Sequence, residues 1–241
     1  MARYVTAWRA LRTAQKTSRG VSLYSRWVNR PVGRVFAAAA FRLGMTPDQV
    51  TAASAVVSLA GVAAVAWFRP APWLGPVVWA ALALGFALDS ADGQLARLRG
   101  GGSAAGEWLD HVVDCVKTVT LHAAVAVSLL RFPVDGRWPL DGRWPVVLPF
   151  CFQTAAVTVF FGGVLRELLG RRAAPAPPAG PPSRVRALAL LPVDFGVVAL
   201  AFVTLGWPGV FTVVYGLLAV AHLLFLVAFL AKWYRELSQA G

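Results

Sequence analysis

The chain alternates long apolar runs with short polar breaks, and the runs have the length of bilayer-crossing helices. Such a helix needs about 20 mostly apolar residues. Six stretches qualify: 49–68, 72–91, 108–130, 145–166, 187–206 and 209–231. The pattern predicts an all-α integral membrane protein with six transmembrane helices. Ahead of them, Ser22–Gly44 interleaves apolar and basic positions. Leu23, Trp27, Val28, Val35, Phe36 and Leu43 can share a face, with Arg26, Arg30, Arg34 and Arg42 around them. This predicts an N-terminal amphipathic helix in the headgroup plane, where anionic lipids attract it. Pro31 is expected to break or kink that helix. In "TPDQVT" (Thr46–Thr51), Thr46 or Asp48 can cap span one, and Pro47 suits its first turn. The expected organisation is a basic arm with a juxtamembrane helix (1–45), a six-helix transmembrane domain (46–233) and a short tail (234–241).

Composition agrees with this reading. The chain is 58% hydrophobic and only 14% charged, against roughly a quarter charged in an average soluble domain. A net charge of +12 would suit a nucleic-acid partner, but the distribution argues against one. Eighteen Lys and Arg residues flank the spans on one side and four on the other, with Lys117 inside span three. Basic flanks mark the cytoplasmic side. Both termini and the loop between spans two and three are therefore expected in the cytoplasm, with the protein in the inner membrane. An even number of spans is then required.

Other features are read more plainly. Cys115 and Cys151 fall in apolar spans and are expected to be small buried hydrophobes, since no CxxC or Cys/His metal pattern exists. The first apolar run comes too late for a signal peptide, and the acid-free stretch 1–47 leads into span one without the break expected after a transit peptide. "DGRWP" occurs twice between Val134 and Pro145, where Trp138 and Trp144 suit an outer aromatic belt. The Pro-rich stretch Arg171–Arg186 reads as an extended linker.

The acidic residues are not spread evenly. Five of the eleven lie between Asp89 and Asp114: Asp89, Asp92, Glu107, Asp110 and Asp114. Asp89 and Asp92 stand i and i+3 at the end of span two. Asp110 and Asp114 stand i and i+4 at the start of span three. Each pair shares a helix face, so four carboxylates can converge. Bare and ionised near a membrane they would repel one another. Hard divalent cations relieve this, because carboxylate oxygens are their natural ligands, and two pairs suit a two-metal centre. Gly93, Ala96 and Gly106 would let a phosphorylated ligand approach the backbone, and Arg97 can fork onto phosphate oxygens. A transporter using the carboxylates as an ion path is the alternative. It would be expected to place charges near the bilayer midplane, whereas these acids gather at one edge.

The window resembles the CDP-alcohol phosphotransferases, whose pattern is D-x2-D-G-x2-A-R-x8-G-x3-D-x3-D. Here Asp89, Asp92, Gly93, Ala96, Arg97, Gly106, Asp110 and Asp114 occupy every fixed position at every fixed gap. "TPDQVT" is similar to the family's TPNxVT, with Asp48 in place of the usual Asn. The resemblance implies an enzyme that takes a CDP-alcohol, commonly CDP-diacylglycerol, attacks it with an acceptor hydroxyl and releases CMP. It implies two Mg²⁺ or Mn²⁺ ions on Asp89, Asp92, Asp110 and Asp114, and Asp114 as the base. It places Gly93, Ala96, Arg97 and Gly106 against the nucleotide and pyrophosphate. Membrane lipids and a second copy of the chain, as a homodimer, are the expected partners.

The acceptor is less legible. Family members that use inositol phosphate carry a Lys-x-Arg pair near the end of span four. This chain has only Arg166 beside Glu167 there, which counts against that acceptor. Lys117 could hold an acceptor phosphate or neutralise Asp110 or Asp114. Asp194, a lone carboxylate early in span five, could orient an acceptor hydroxyl or pair with Lys117. His111, His122 and His222 read as hydrogen-bonded helix residues rather than ligands.

Overall fold

The computed structural model describes residues 21–133, 144–170 and 183–239. The first part of the basic arm, the DGRWP repeat up to Arg143 and most of the Pro-rich linker lie outside the described residues. Among the described residues, eight α-helices follow in order: α1 (Arg30–Arg42), α2 (Pro47–Trp67), α3 (Leu74–Leu98), α4 (Ala104–Arg131), α5 (Trp144–Gly170), α6 (Arg184–Ala189), α7 (Phe195–Ala201) and α8 (Pro208–Ser238). No strand occurs among the described residues.

Pro31 does not end the first helix. A π-helical turn, Ser25–Asn29, precedes it, and the chain runs on into α1 with Pro31 in its first turn. The wider turn relieves the clash between the proline ring and the carbonyl four residues back. α1 turns Ala37, Ala38 and Ala40 inward with Val50, Ala91 and Leu95, while Trp27, Val28, Val35 and Leu43 point outward. The small inner face lets α1 lie close on α3. A Cβ at Gly33 would stand only 2.8 Å from Ser90 Cβ.

Thr46 is the N-cap of α2. Its hydroxyl accepts from Gln49 N–H at 3.2 Å, and Gln49 Oε1 accepts from Thr46 N–H at 2.9 Å, with Pro47 in the first turn. α3 is the central helix and packs on α1, α2 and α7. α4 lies against α2 and α5, and α5 against α8. The main core joins Val65, Val78, Leu82, Leu121, Phe152, Phe202, Phe211 and Tyr215. His122 Nδ1 lies 2.6 Å from the Tyr215 hydroxyl, and His222 Nδ1 lies 2.9 Å from the Leu218 carbonyl. Both are thus hydrogen-bonded helix residues, as expected. Cys115 and Cys151 are half-buried free thiols.

Among the described residues, five helices are long and apolar enough to cross a membrane: α2, α3, α4, α5 and α8. The stretch expected to be span five is a broken helical segment. α6 ends before a 3₁₀ turn, Leu191–Val193, α7 restarts at Phe195, and a second 3₁₀ turn covers Phe202–Gly206. The break has local causes. Pro192 offers no N–H to a continuing helix, and Asp194 caps α7 by accepting Gly196 N–H at 2.7 Å. Seven α-helical and five 3₁₀ residues together rise about 20 Å, less than the ~30 Å hydrocarbon core. Elsewhere the helices outrun the apolar runs. α3 continues past Asp89 and Asp92 to Leu98, and α8 extends to Ser238.

Candidate active site

The site forms where the end of α3 meets the start of α4. Their connection turns sharply at Gly100 (φ 96°) and Gly101 (φ 133°), a region that disfavours residues with a Cβ. Ser103 then caps α4 by accepting from Gly106 N–H at 2.9 Å. This short link sets the two acidic pairs side by side. Asp89, Asp92 and Asp110 each offer one carboxylate oxygen, and the three atoms all lie within 4.8 Å of one another.

Asp92 is buried and held from two sides. Its Oδ2 accepts from Thr51 Oγ1 at 2.6 Å, and its Oδ1 accepts from Gly93 N–H. Asp89 and Asp114 face Lys117. Its Nζ lies 2.5 Å from Asp89 Oδ1, 3.2 Å from Asp114 Oδ1 and 2.9 Å from Ser54 Oγ. Lys117 thus neutralises Asp89 and Asp114. Asp110 is instead approached by His111, whose Nδ1 lies 4.0 Å from Asp110 Oδ2.

Two cavities flank the carboxylates. The larger, about 670 Å³, is lined by Asp92, Asp110, Gly93, Ala96, Arg97 and Gly106, with Asp48 and Glu107 at its wall. A Cβ at Gly106 would stand 2.9 Å from Asp48 Oδ1, so this wall has no room for a side chain. At Gly93 a Cβ would lie 3.4 Å from Arg97 Nη1, so the guanidinium lies over a bare backbone. The smaller cavity, about 140 Å³, is lined by Asp89, Asp114, Lys117, Ser58 and the rings of Phe86, Phe160 and Phe195.

The donor set suits a hard divalent cation. Three anionic oxygens from three residues can share one ion at the 2.0–2.6 Å distances typical of Mg²⁺, Mn²⁺ or Ca²⁺, and Thr51 supports one of them from behind.

The expected acceptor residues separate. Lys117 lies in the site. Arg166 lines neither cavity and instead pairs with Glu236, its Nη2 at 2.8 Å from Oε2. Asp194 is taken up in structure. Besides capping α7, its Oδ2 accepts from the hydroxyls of Ser22 and of Ser25 (2.5 Å), tying the juxtamembrane segment to α7. Burial, and then the charge of Asp194, push the nearby Tyr24 phenol above its ordinary value. Burial and the neighbouring Arg97 and Arg26 charges lower the Arg30 guanidinium.

Three residues of the site escaped the sequence reading: Thr51, Ser54 and Ser58, all buried on α2. A signal existed. They stand three and four residues apart on an otherwise apolar helix, and so share one face.

The comparisons with known proteins agree with this arrangement. No curated protein sequence matches the chain. Two solved structures of phosphatidylinositol phosphate synthase from Mycobacterium tuberculosis are similar to it. One is in complex with manganese and citrate: 22% identity, TM-score 0.55, covering 86% of this chain and 89% of that one. The other has CDP-DAG bound: 22% identity, TM-score 0.56, covering 86% of this chain and 94% of that one. At that identity the likeness establishes a shared fold. The family model for CDP-alcohol phosphatidyltransferases matches residues 44–234, most of the chain and the whole of the site. The chain is therefore an integral membrane transferase that belongs to the CDP-alcohol phosphatidyltransferase family.

Proposed function

We propose that this protein transfers a phosphatidyl group from CDP-diacylglycerol to the hydroxyl of an acceptor alcohol, releasing CMP. The observation that carries the reading is the meeting of Asp89, Asp92 and Asp110 within 4.8 Å at the boundary of two cavities. A nucleotide diphosphate fits the larger cavity, where Gly93, Ala96 and Gly106 leave the backbone bare and Arg97 forks onto phosphate oxygens. Manganese and CDP-DAG, found in the similar solved structures, are consistent with it.

Asp89, Asp92, Asp110 and Asp114 would hold two divalent ions, Mg²⁺ or Mn²⁺. When bound, such ions neutralise the pyrophosphate and stabilise charge that builds on its oxygens. Asp114 lines the smaller cavity and not the larger, so it faces an acceptor rather than the nucleotide. There its carboxylate takes the acceptor's hydroxyl proton. The freed oxygen bonds to the phosphorus next to the lipid, and the bond from that phosphorus to the CMP oxygen breaks. Lys117 holds Asp89 and Asp114 in place.

In such an enzyme, residues 46–233 form the catalytic domain, with the site and both termini in the cytoplasm and the chain in the inner membrane. Phe195–Gly206, with the turns before it, makes a sixth crossing. The helix from Ser25 to Arg42 lies in the headgroup plane, where its outward Trp27, Val28 and Val35 meet lipid. Two copies associate as a homodimer.

The test is CMP release by purified protein from CDP-diacylglycerol, with Mg²⁺ or Mn²⁺ and a panel of acceptors, and identification of the lipid formed. No CMP with any acceptor or metal would sink the reading.

A further inference from the structure

The fold does not treat the four carboxylates alike, and the difference bears on how they take up cations in the phosphatidyl-transfer reading, on which this inference rests. Asp89, Asp92 and Asp110 bring three oxygens within 4.8 Å of one another. Asp92 is held there by uncharged donors, the Thr51 hydroxyl and the Gly93 N–H. Asp89 and Asp114 instead share a cation that the chain itself supplies. The Lys117 ammonium lies 2.5 Å from Asp89 Oδ1 and 3.2 Å from Asp114 Oδ1.

The seat of that ammonium is fixed by more than charge. Its third contact is Ser54 Oγ at 2.9 Å. Ser54 donates its own proton to the Gly85 carbonyl at 2.8 Å, so it offers Lys117 a lone pair. The three acceptors stand on α2, α3 and α4, and they match the three N–H donors of an ammonium. Asp89 belongs both to this seat and to the three-carboxylate group. A second divalent ion shared by Asp89 and Asp114 has to be bound by the same two carboxylates that the ammonium bridges. Two cations crowded onto them repel strongly where water is scarce, and Lys117 is buried.

We infer that Lys117 holds the second cation seat, between Asp89 and Asp114, and that a second divalent ion binds there only in exchange for its ammonium. The two ions are therefore unequal. The first meets three carboxylates, whereas the second has to break a buried ion pair. The smaller cavity, about 140 Å³ and lined by Lys117 itself beside Thr118 and Phe160, gives the displaced ammonium room. Until the exchange Lys117 is a positioning residue that fixes Asp114 against Asp89.

The experiment titrates Mn²⁺ into the full-length protein in detergent and reads free and bound ion by electron paramagnetic resonance, with CMP release from CDP-diacylglycerol followed in parallel. Ions about 3.5–4 Å apart couple their spins, so the spectrum separates an ion at this seat from one elsewhere on the surface. The unsubstituted protein is expected to bind one ion tightly and the second about tenfold or more weakly, since that ion must displace a buried charge. Lys117→Met, which removes the charge, should tighten the second ion about tenfold or more and the first far less. Ser54→Ala keeps every charge and removes one contact of the ammonium, so it should tighten the second ion about threefold or more. Two equally tight ions in the unsubstituted protein overturn the inference and leave the transfer reading standing. A second ion no tighter in Lys117→Met does the same, and where that variant does not fold, Ser54→Ala decides by the same criterion. A folded protein that neither binds Mn²⁺ nor releases CMP overturns the transfer reading itself, and the inference with it.

Discussion

Lys117 Nζ lies 2.5 Å from Asp89 Oδ1, and this ion pair ties α4 to α3 at the boundary between the two cavities. Lys117 is 6% exposed and the Asp89 side chain 19%, so the ammonium is buried and the carboxylate only partly solvated. Breaking one side of a buried pair typically costs about 3–5 kcal/mol, because the remaining charge is stranded. Lys117→Met is expected to lower the melting temperature strongly in EDTA. Added Mn²⁺ should narrow the gap to the unsubstituted protein, because the ion replaces the missing positive charge. Thermal melts in detergent with and without metal check this, and an equal deficit in both conditions argues against a shared carboxylate site.

Removal of metal should stop the reaction. EDTA is expected to abolish CMP release, and Mg²⁺ or Mn²⁺ to restore it. Asp89→Asn or Asp110→Asn should cut the rate by orders of magnitude while the protein stays monodisperse in detergent. Full turnover in the metal-free protein would contradict the proposed site.

Asp114 and Arg97 should separate chemistry from binding. Asp114→Asn is expected to reduce the single-turnover rate about 10²–10⁴-fold, with CDP affinity nearly intact at saturating Mg²⁺. Arg97 lines the larger cavity. Its charge-assisted hydrogen bonds are worth roughly 1.5–3 kcal/mol each, so Arg97→Ala should weaken CDP binding about tenfold or more. Calorimetry with CDP beside single-turnover CMP release decides it. Reversed results would mean that the two roles are exchanged.

Asp194 is expected to act through structure. It caps α7 and accepts from Ser22 and Ser25. Loss of an N-cap typically costs about 0.5–2 kcal/mol, so Asp194→Ala should destabilise the fold by at least that much and expose the segment around Ser22 to protease. Asp194→Ser, which can still cap, should recover part of the loss. A large fall in acceptor affinity with normal stability would instead restore Asp194 to the acceptor site.

The broken segment makes the topology testable. If Phe195–Gly206 completes a crossing, cysteines introduced at Ser183 and Gln239 label from the cytoplasmic side and one at Trp207 from the opposite side. Ser183 and Trp207 labelling from the same face would leave only the five long helices as crossings.

Much of the site was legible because its spacing is local. Three or four residues along a helix return a side chain to the same face, so Asp89 with Asp92, and Asp110 with Asp114, were paired before any fold was known. Run length likewise marked the five long apolar helices, and Thr46, Pro47 and Gln49 marked the start of α2 by neighbour chemistry alone. The break within the fifth apolar stretch was not legible, because hydropathy averages over Pro192 and Asp194, while the backbone responds to each of them singly.

Other features depended on partners distant in sequence. Lys117 could have served an acceptor phosphate or a carboxylate, and only the approach of α2, α3 and α4 committed it to Ser54, Asp89 and Asp114. Asp194 was an intramembrane charge without an evident partner until the fold brought Ser22 and Ser25 to it across some 170 residues. The sequence by itself determined the apolar helices, the two acidic pairs and the family, because each is written in short-range periodicity or a fixed spacing. The tertiary structure decided which carboxylates come within reach of one another and which face which cavity. Those depend on how helices far apart in the chain pack, and packing is set by the fit of whole faces rather than by any short stretch.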